Sequence, residues 1–360
     1  MAEFDQIREI KAFEAAGASV KALADAGIAE IPQTFHLPPD FLANKQPPPS
    51  DPRYSILIID LQGIKNDPNA RKNVVEKIRE ASEKWGFFEV INHDIPQDVL
   101  NGIIDGTRRF HEEDLEEKMK YFTRDVSKNV AFRSNVDLQK SGLASWRDSF
   151  HCQMAPNPPC LEELPHAIRD CLMEFSEQLK KCGELMFELL SESLGLPSDY
   201  LKDMDCANAM AFVCHYYPSC PQPELTLGLK RHSDNSFITL LLQDHIGGLQ
   251  ILHDHYWIFV PPVSGALLVN TGDFMQLLTN DKYKSVEHRV LANKVGPRIS
   301  VACFFNTSLN PNPRLYGPIT ELLSEDNPPR YRELTLEEYN RFRAEEPLGS
   351  AGKVLKYFEI

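Results

Sequence analysis

The rhythm of apolar and polar positions changes once along this chain. In the first half, apolar residues recur at helical spacing. Residues 4–26 place Ile10, Phe13, Val20 and Leu23 on one face and end at Gly27, a natural cap. A Pro-rich connector, Gln46–Pro52, follows as an extended linker. Ala70–Trp85 then reads as an amphipathic helix, and Pro96–Phe122 and Leu161–Leu194 as two longer ones with charges on one side. Two short runs, Ile56–Ile59 and Gly86–Ile91, are expected strands. From about Asn208 to Thr307 the pattern becomes short β-branched runs between Gly, Pro, Asn and Asp turns. Strands are expected at Met210–Tyr217, Phe237–Gln243, Leu249–Leu252, Trp257–Val260, Ala266–Asn270, Ser285–Leu291 and Ile299–Asn306. Strands this short and regular, with no helices between them, point to an antiparallel sandwich or barrel. The tail beyond Pro318 returns to helix, notably over Thr335–Glu345. The expected fold is therefore mainly β with flanking α, a small barrel or jelly roll wrapped by helices from both ends.

Composition narrows the function classes. With 42% hydrophobic and 25% charged residues among 360, the chain is that of a folded globular protein. Lys plus Arg minus Asp plus Glu is 38 − 52 = −14, with no basic cluster to reverse the sign locally. Such a surface repels phosphate backbones and anionic lipid, so neither nucleic acid nor membrane is an expected partner. The first residues lack the apolar core of a signal peptide, and the longest apolar runs are strand-sized, far short of a bilayer span. All eight cysteines lie singly between Cys152 and Cys303, without a CxxC pair, and read as buried free thiols. A cytoplasmic monomer is expected.

The candidate chemistry begins at His232-Ser233-Asp234. Residues two apart on extended backbone point the same way, so one imidazole and one carboxylate can reach a common point. An isolated HxD carries little weight and needs a third ligand, which His288 on another expected strand can supply. Two histidines and one carboxylate form the facial triad of non-haem Fe(II) oxygenases, open on three sides for co-substrate and O₂. Zinc is disfavoured, although hydrolytic zinc sites use a similar set. Ten residues beyond His288, Arg298 and Ser300 share one strand face and offer a guanidinium fork plus a hydroxyl for a carboxylate. A ligand that chelates the metal at one end and carries a carboxylate at the other is 2-oxoglutarate. By contrast, His253-Asp-His255 falls at an expected hairpin tip and reads as a solvated turn, and His93 as a structural cap or turn residue.

HxD, 54 residues to His and ten more to RxS resembles the plant Fe(II)/2-oxoglutarate-dependent dioxygenase superfamily. Supporting segments are His215–Pro223, Gly247–Gln250, Val269–Asp273, Ile58–Leu61 and Trp85–His93, so the resemblance spans roughly residues 55–310. Lys11–Phe13, Ile31-Pro32, Trp146–Asp148 and Arg289–Asn293 are similar to the branch of 1-aminocyclopropane-1-carboxylate oxidase homologues, which includes alkaloid, benzoxazinoid and steroidal glycoalkaloid hydroxylases. The resemblance implies a double-stranded β-helix, iron on His232, Asp234 and His288, and 2-oxoglutarate held by Arg298 and Ser300 with Tyr217 beside it. It also implies ascorbate as reductant, and succinate and CO₂ as co-products. His215 departs from the family, many members of which have Asn there beside the co-substrate. The implied organisation is a helical arm and linker (1–54), an N-terminal helical dioxygenase region (55–205), the jelly-roll catalytic core (206–310) and a C-terminal helical extension or lid (311–360).

For the prime substrate, Phe304 and Asn306 share the parity of Arg298 and Ser300 and are expected to face the same interior. Family analogy adds Ser149 and His151, with Phe150 and Cys152 as the alternative register. Ordinary core packing is the competing account of all four. An aromatic face suits a small, largely apolar substrate. The expected activity is hydroxylation of a specialised metabolite. The alternatives are an ascorbate-dependent ethylene-forming oxidase, which the long N-terminal arm disfavours, and a catalytically silent ligand-binding barrel, which the intact triad and clamp disfavour.

Overall fold

The computed structural model describes residue 13 and residues 19–43, 54–125, 127–135, 138, 142–307, 314–346 and 354–360. Two sheets face each other. The larger runs in the order β1 (Leu57–Asp60), β2 (Phe87–Ile91), β10 (Leu267–Thr271), β7 (Ile238–Gln243), β12 (Arg298–Asn306), β5 (Ala209–Tyr217), β4 (Asp148–Ala155) and β3 (Val130–Arg133). The smaller is β6 (Leu227–His232), β11 (His288–Leu291), β8 (Leu249–His253) and β9 (Tyr256–Phe259). Every pairing is antiparallel except β1 with β2, as a jelly roll with one appended parallel edge requires. The larger sheet draws strands from both 55–205 and 206–310.

Alternation along β12 explains how the core and the site share one strand. Val301, Cys303 and Phe305 are fully buried in the core that also holds Phe187 and Leu190 of a long helix, Arg169–Ser193. Arg298, Ser300, Ala302 and Phe304 point to the opposite, inter-sheet face, where they line a cavity. The helix lies so close that a Cβ on its Gly183 would sit 2.2 Å from the Phe305 ring. Burying one such ring contributes about 1.5–3 kcal/mol, so the apolar parity of β12 anchors its polar parity in place.

Several expected elements shift. The Pro96–Phe122 helix stops at Glu112, because Glu112, Glu113 and Asp114 crowd three carboxylates onto its negative pole. The chain restarts as a short helix, Leu115–Met119. The Leu161–Leu194 helix begins only at Arg169, since Pro165 holds Leu164 extended (φ −92°, ψ 143°). Beyond Pro318 the only α-helix among the described residues is Leu336–Glu345. Of the 4–26 helix, Val20–Asp25 is helical and capped by Ser19, and the backbone turns left-handed at Gly27 (φ 65°). Residues 4–12 and 14–18 and the connector 46–52 lie outside the described residues. Two strands were not expected, β3 and β6. β6 reads Leu-Gly-Leu-Lys-Arg-His, without a β-branched residue, and its Gly228 is there for Tyr217: a Cβ would stand 2.7 Å from that ring.

The N-terminal segment is tied to the sheet. Buried Asp148, at the start of β4, accepts hydrogen bonds from Ser19 Oγ (2.7 Å), Val20 N (2.9 Å) and Lys21 N (2.9 Å). Phe35 packs edge-on against Trp146 at 5.1 Å in a small satellite core. The eight cysteines are free, Cys160 alone being exposed.

Candidate active site

His232 ends β6, Asp234 follows in the next loop, and His288 begins β11 directly opposite His232. Asp234 Oδ1 stands 3.6 Å from Nε2 of each histidine, and the three donor atoms lie within 4.8 Å of one another. Two bonds of about 2.1 Å from one ion can bridge the 3.6 Å gaps. The remaining atoms are already committed. His232 Nδ1 donates to Lys230 O at 2.9 Å and His288 Nδ1 to Val286 O at 3.2 Å, which leaves both Nε2 lone pairs facing Asp234. Asp234 Oδ2 accepts from Thr239 Oγ1 (2.7 Å) and Asn270 Nδ2 (2.8 Å), leaving Oδ1 free. Such outer partners fix the tautomer and ligand orientation. Burial, then His288, lowers the pKa of His232 and keeps it neutral. Burial alone would raise the Asp234 pKa, but both imidazoles, Asn270 and Thr239 outweigh it and the carboxyl stays ionised. Three ligands on one side of an open point fit Fe(II).

The metal-facing atoms open onto a narrow inner cavity of about 40 Å³, which Arg298, Ser300 and Tyr217 also line. Arg298 is 1% exposed, and no carboxylate among the described residues pairs with it. It donates to Ser300 Oγ (3.0 Å) and Gln243 Oε1 (3.2 Å), lies 4.9 Å over the Tyr217 ring, and keeps its buried Nε without a partner. A buried, unpaired guanidinium costs several kcal/mol unless an anion meets it. Phe87, Leu241 and Val290 form the apolar walls.

His215 stands between this cavity and a larger outer one of about 420 Å³. Arg147 Nη1, which can only donate, lies 3.3 Å from His215 Nδ1, and Ser149 Oγ lies 2.8 Å from the same nitrogen. The ring proton is therefore on Nε2. Burial, followed by Arg147, His151 and Arg298, holds the ring neutral. His215 thus presents a Nε2–H donor.

The remaining expected residues fall as follows. Phe304 lines both cavities, and Ser149 and His151 line the outer one, while Phe150 and Cys152 go to the core. Asn306 lines neither. Eight residues past Arg298, it sits roughly 26 Å along the strand, beyond the cavity end, with its Oδ1 buried and unpartnered. His93 is structural, bonded to Gly265 O (2.9 Å) and Ile95 N (3.2 Å). The Asp254-His255 pair makes the exposed hairpin turn, and His253 stacks on Trp85 at 3.8 Å. Thr239, Asn270 and Gln243 hydrogen-bond to the expected site residues, and Arg133 and Arg147 line the outer cavity, none of which the spacing of motifs predicts. The readable signal was polarity inside apolar strands, as in Leu-Leu-Val-Asn270.

Residues 208–307 match the 2OG-Fe(II) oxygenase superfamily, and residues 56–168 match the non-haem dioxygenase in morphine synthesis N-terminal family. A curated Arabidopsis thaliana protein, 1-aminocyclopropane-1-carboxylate oxidase homolog 1, is 56% identical over 95% of this chain and 93% of its own. The chain belongs to the 2OG-Fe(II) oxygenase superfamily. This oxygenase is also 51% identical to a Solanum lycopersicum 1-aminocyclopropane-1-carboxylate oxidase homolog, over 98% and 97% of the two chains. Among solved structures, JOX2 in complex with 2OG, Fe and JA superposes with a TM-score of 0.81 at 30% identity, covering 95% of this oxygenase and 97% of JOX2. The rice dioxygenase for auxin oxidation shares the fold, with a TM-score of 0.71. The oxygenase is thus an Fe(II)- and 2-oxoglutarate-dependent oxidoreductase with a jelly-roll core. No helix among its described residues is long and apolar enough to cross a membrane.

Proposed function

We propose that this oxygenase hydroxylates a small, largely apolar metabolite in the outer cavity, releasing succinate and CO₂. His232, Asp234 and His288 would hold Fe(II), Arg298 and Ser300 the distal carboxylate of 2-oxoglutarate, and Tyr217 would flank it. The observation that carries this reading is the buried, carboxylate-free Arg298 in the same narrow cavity as the three converging ligand atoms. The JOX2 complex, in which 2OG, Fe and a third small molecule occupy one protein of this fold, supports it.

When bound, iron and 2-oxoglutarate supply O₂ activation coupled to oxidative decarboxylation, and ascorbate keeps the metal ferrous. The chain contributes placement. Thr239 and Asn270 aim the carboxylate, the backbone carbonyls aim the imidazoles, and Arg298 aligns the co-substrate. Phe87, Leu241 and Val290 exclude water, and Phe304 supplies an apolar surface where the two cavities meet.

The test is 2-oxoglutarate-dependent succinate release over a metabolite panel, followed by Phe304→Ala with any substrate found. Loss of the ring should weaken substrate binding by about 1–3 kcal/mol and uncouple the reaction. Succinate still forms, but hydroxylated product falls. If iron occupancy falls together with both, Phe304 is core and the pocket reading is wrong. Turnover with ascorbate and no 2-oxoglutarate would favour the ethylene-forming alternative.

A further inference from the structure

The protein carries a net charge of −14, yet among the described residues its outer cavity is lined by five cationic side chains, Arg133, Arg147, Lys230, Arg231 and Arg343, against one carboxylate, the metal-facing Asp234. Three of the five are engaged elsewhere. Lys230 Nζ donates to Leu143 O at 2.7 Å, Arg231 lies 5.7 Å over the Phe41 ring, and Arg343 donates to Ser233 O at 2.8 Å beside Asp273.

Arg133 and Arg147 differ. Neither pairs with a carboxylate among the described residues. Arg133 gives one N–H to Asp125 O (3.0 Å), and its Nε is buried with no partner at all. Arg147 gives one N–H to His215. The sheet register brings them to one cavity: Arg133 lies opposite Ser149, Ser149 and His151 alternate along β4, and Arg147 immediately precedes that strand and lines the same cavity. His151 makes no hydrogen bond among the described residues. Burial, then Arg133 and Arg147, lowers its pKa to about 3, so the imidazole adds no charge of its own and can accept or donate. Burial likewise lowers the Arg133 pKa, with only Asp125 opposing it.

Two guanidinium forks with spare N–H donors, in a partly dry cavity with no carboxylate paired to either among the described residues, are built for a planar anion. We infer that the prime substrate is an organic acid whose carboxylate docks at Arg133 and Arg147, with its apolar body running past Phe304 toward the iron. The inference deepens the reading that the outer cavity holds the prime substrate and rests on it. It fixes polarity as well as class. Arg133 lines the outer cavity and not the inner one, so the C–H bond presented to the metal lies at the end of the molecule remote from the carboxylate.

The experiment uses the whole protein loaded anaerobically with Fe(II) and 2-oxoglutarate, whose charge-transfer absorption shifts when a third molecule enters beside the metal. The probes are phenylalkanoates of increasing chain length, each paired with its methyl ester. At least one acid should bind about tenfold or more tightly than its ester, the ratio expected of a charge-assisted contact. That preference should shrink with added salt. It should fall about fivefold or more in Arg133→Gln, with Arg133→Lys between the two. Acids that bind no better than their esters, or a preference undiminished in both Arg133→Gln and Arg147→Gln, would overturn the inference while leaving the iron site standing. Absence of the charge-transfer band from wild-type protein would instead overturn the co-substrate reading, and this one with it.

Discussion

In the inner cavity the polar side chains largely partner one another before any ligand arrives: histidine to backbone carbonyl, Asp234 to Thr239 and Asn270, Arg298 to Ser300 and Gln243. In the outer cavity, ten times larger at about 420 Å³ against 40 Å³, Arg133 keeps an unpartnered N–H, as Arg298 does in the inner one, and among the described residues neither Arg133 nor His151 hydrogen-bonds to another side chain. The two cavities share walls from β5, β6, the loop after β6, and β12. The contrast separates two tasks. Chemistry common to every turnover needs atoms held to within fractions of an ångström, so its residues are cross-braced. Substrate choice needs free donors and space, which under the proposal above a few side chains of β3, β4 and the residue before it would supply.

The harshest way to break the contrast is His232→Ala. One of three ligands goes, and stoichiometric Fe(II) binding and turnover should both disappear; full activity in the variant would remove the metal assignment. Next comes the frame of the outer cavity. Asp148→Ala removes an acceptor that holds Ser19, Val20 and Lys21 and leaves one buried and one half-buried backbone N–H adrift, at a cost of about 3 kcal/mol in a urea unfolding curve. Iron stoichiometry should stay at one, since no metal ligand touches Asp148. An unshifted unfolding midpoint would mean that the N-terminal segment is not braced there. The smallest effect sharpens the comparison from the inner side. Arg298→Lys keeps the charge but loses the fork, so the apparent KM for 2-oxoglutarate should rise by about tenfold, or roughly 1.4 kcal/mol, with iron binding nearly unchanged. An unchanged KM would place the distal carboxylate elsewhere.

The two cavities were also unequally legible in the sequence. His232, Asp234, His288, Arg298 and Ser300 could be read because a facial triad and a clamp need particular residue types at parity-locked spacings, and parity survives small errors in strand ends. Apart from β6, the strands of the second half lay within a few residues of expectation for the same reason. Arg133 and Arg147 could not be read that way. They reach the cavity through the pairing of β3 with β4, and β3 was one of the two strands without a recognisable pattern. Asn306 failed differently: its parity was right, but parity says nothing about where a cavity ends. The helix breaks at Glu113 and Pro165 followed from local charge and proline chemistry that periodicity alone outvoted.

The C-terminal helix, Leu336–Glu345, grips the loop that carries the first two ligands. Arg343 donates to Ser233 O, Asn235 to Asn340, and the Tyr339 hydroxyl to Asp273, which also accepts from Ser233. These partners are separated by 110, 105 and 66 residues along the chain. A ribosome adding roughly 5–20 residues per second therefore makes His232 and Asp234 several seconds before it makes the clasp that shapes their loop. During that interval His288 and Arg298 are also still arriving. The loop between the first two ligands therefore gains its last hydrogen-bond partners only after the chain has been made as far as Arg343.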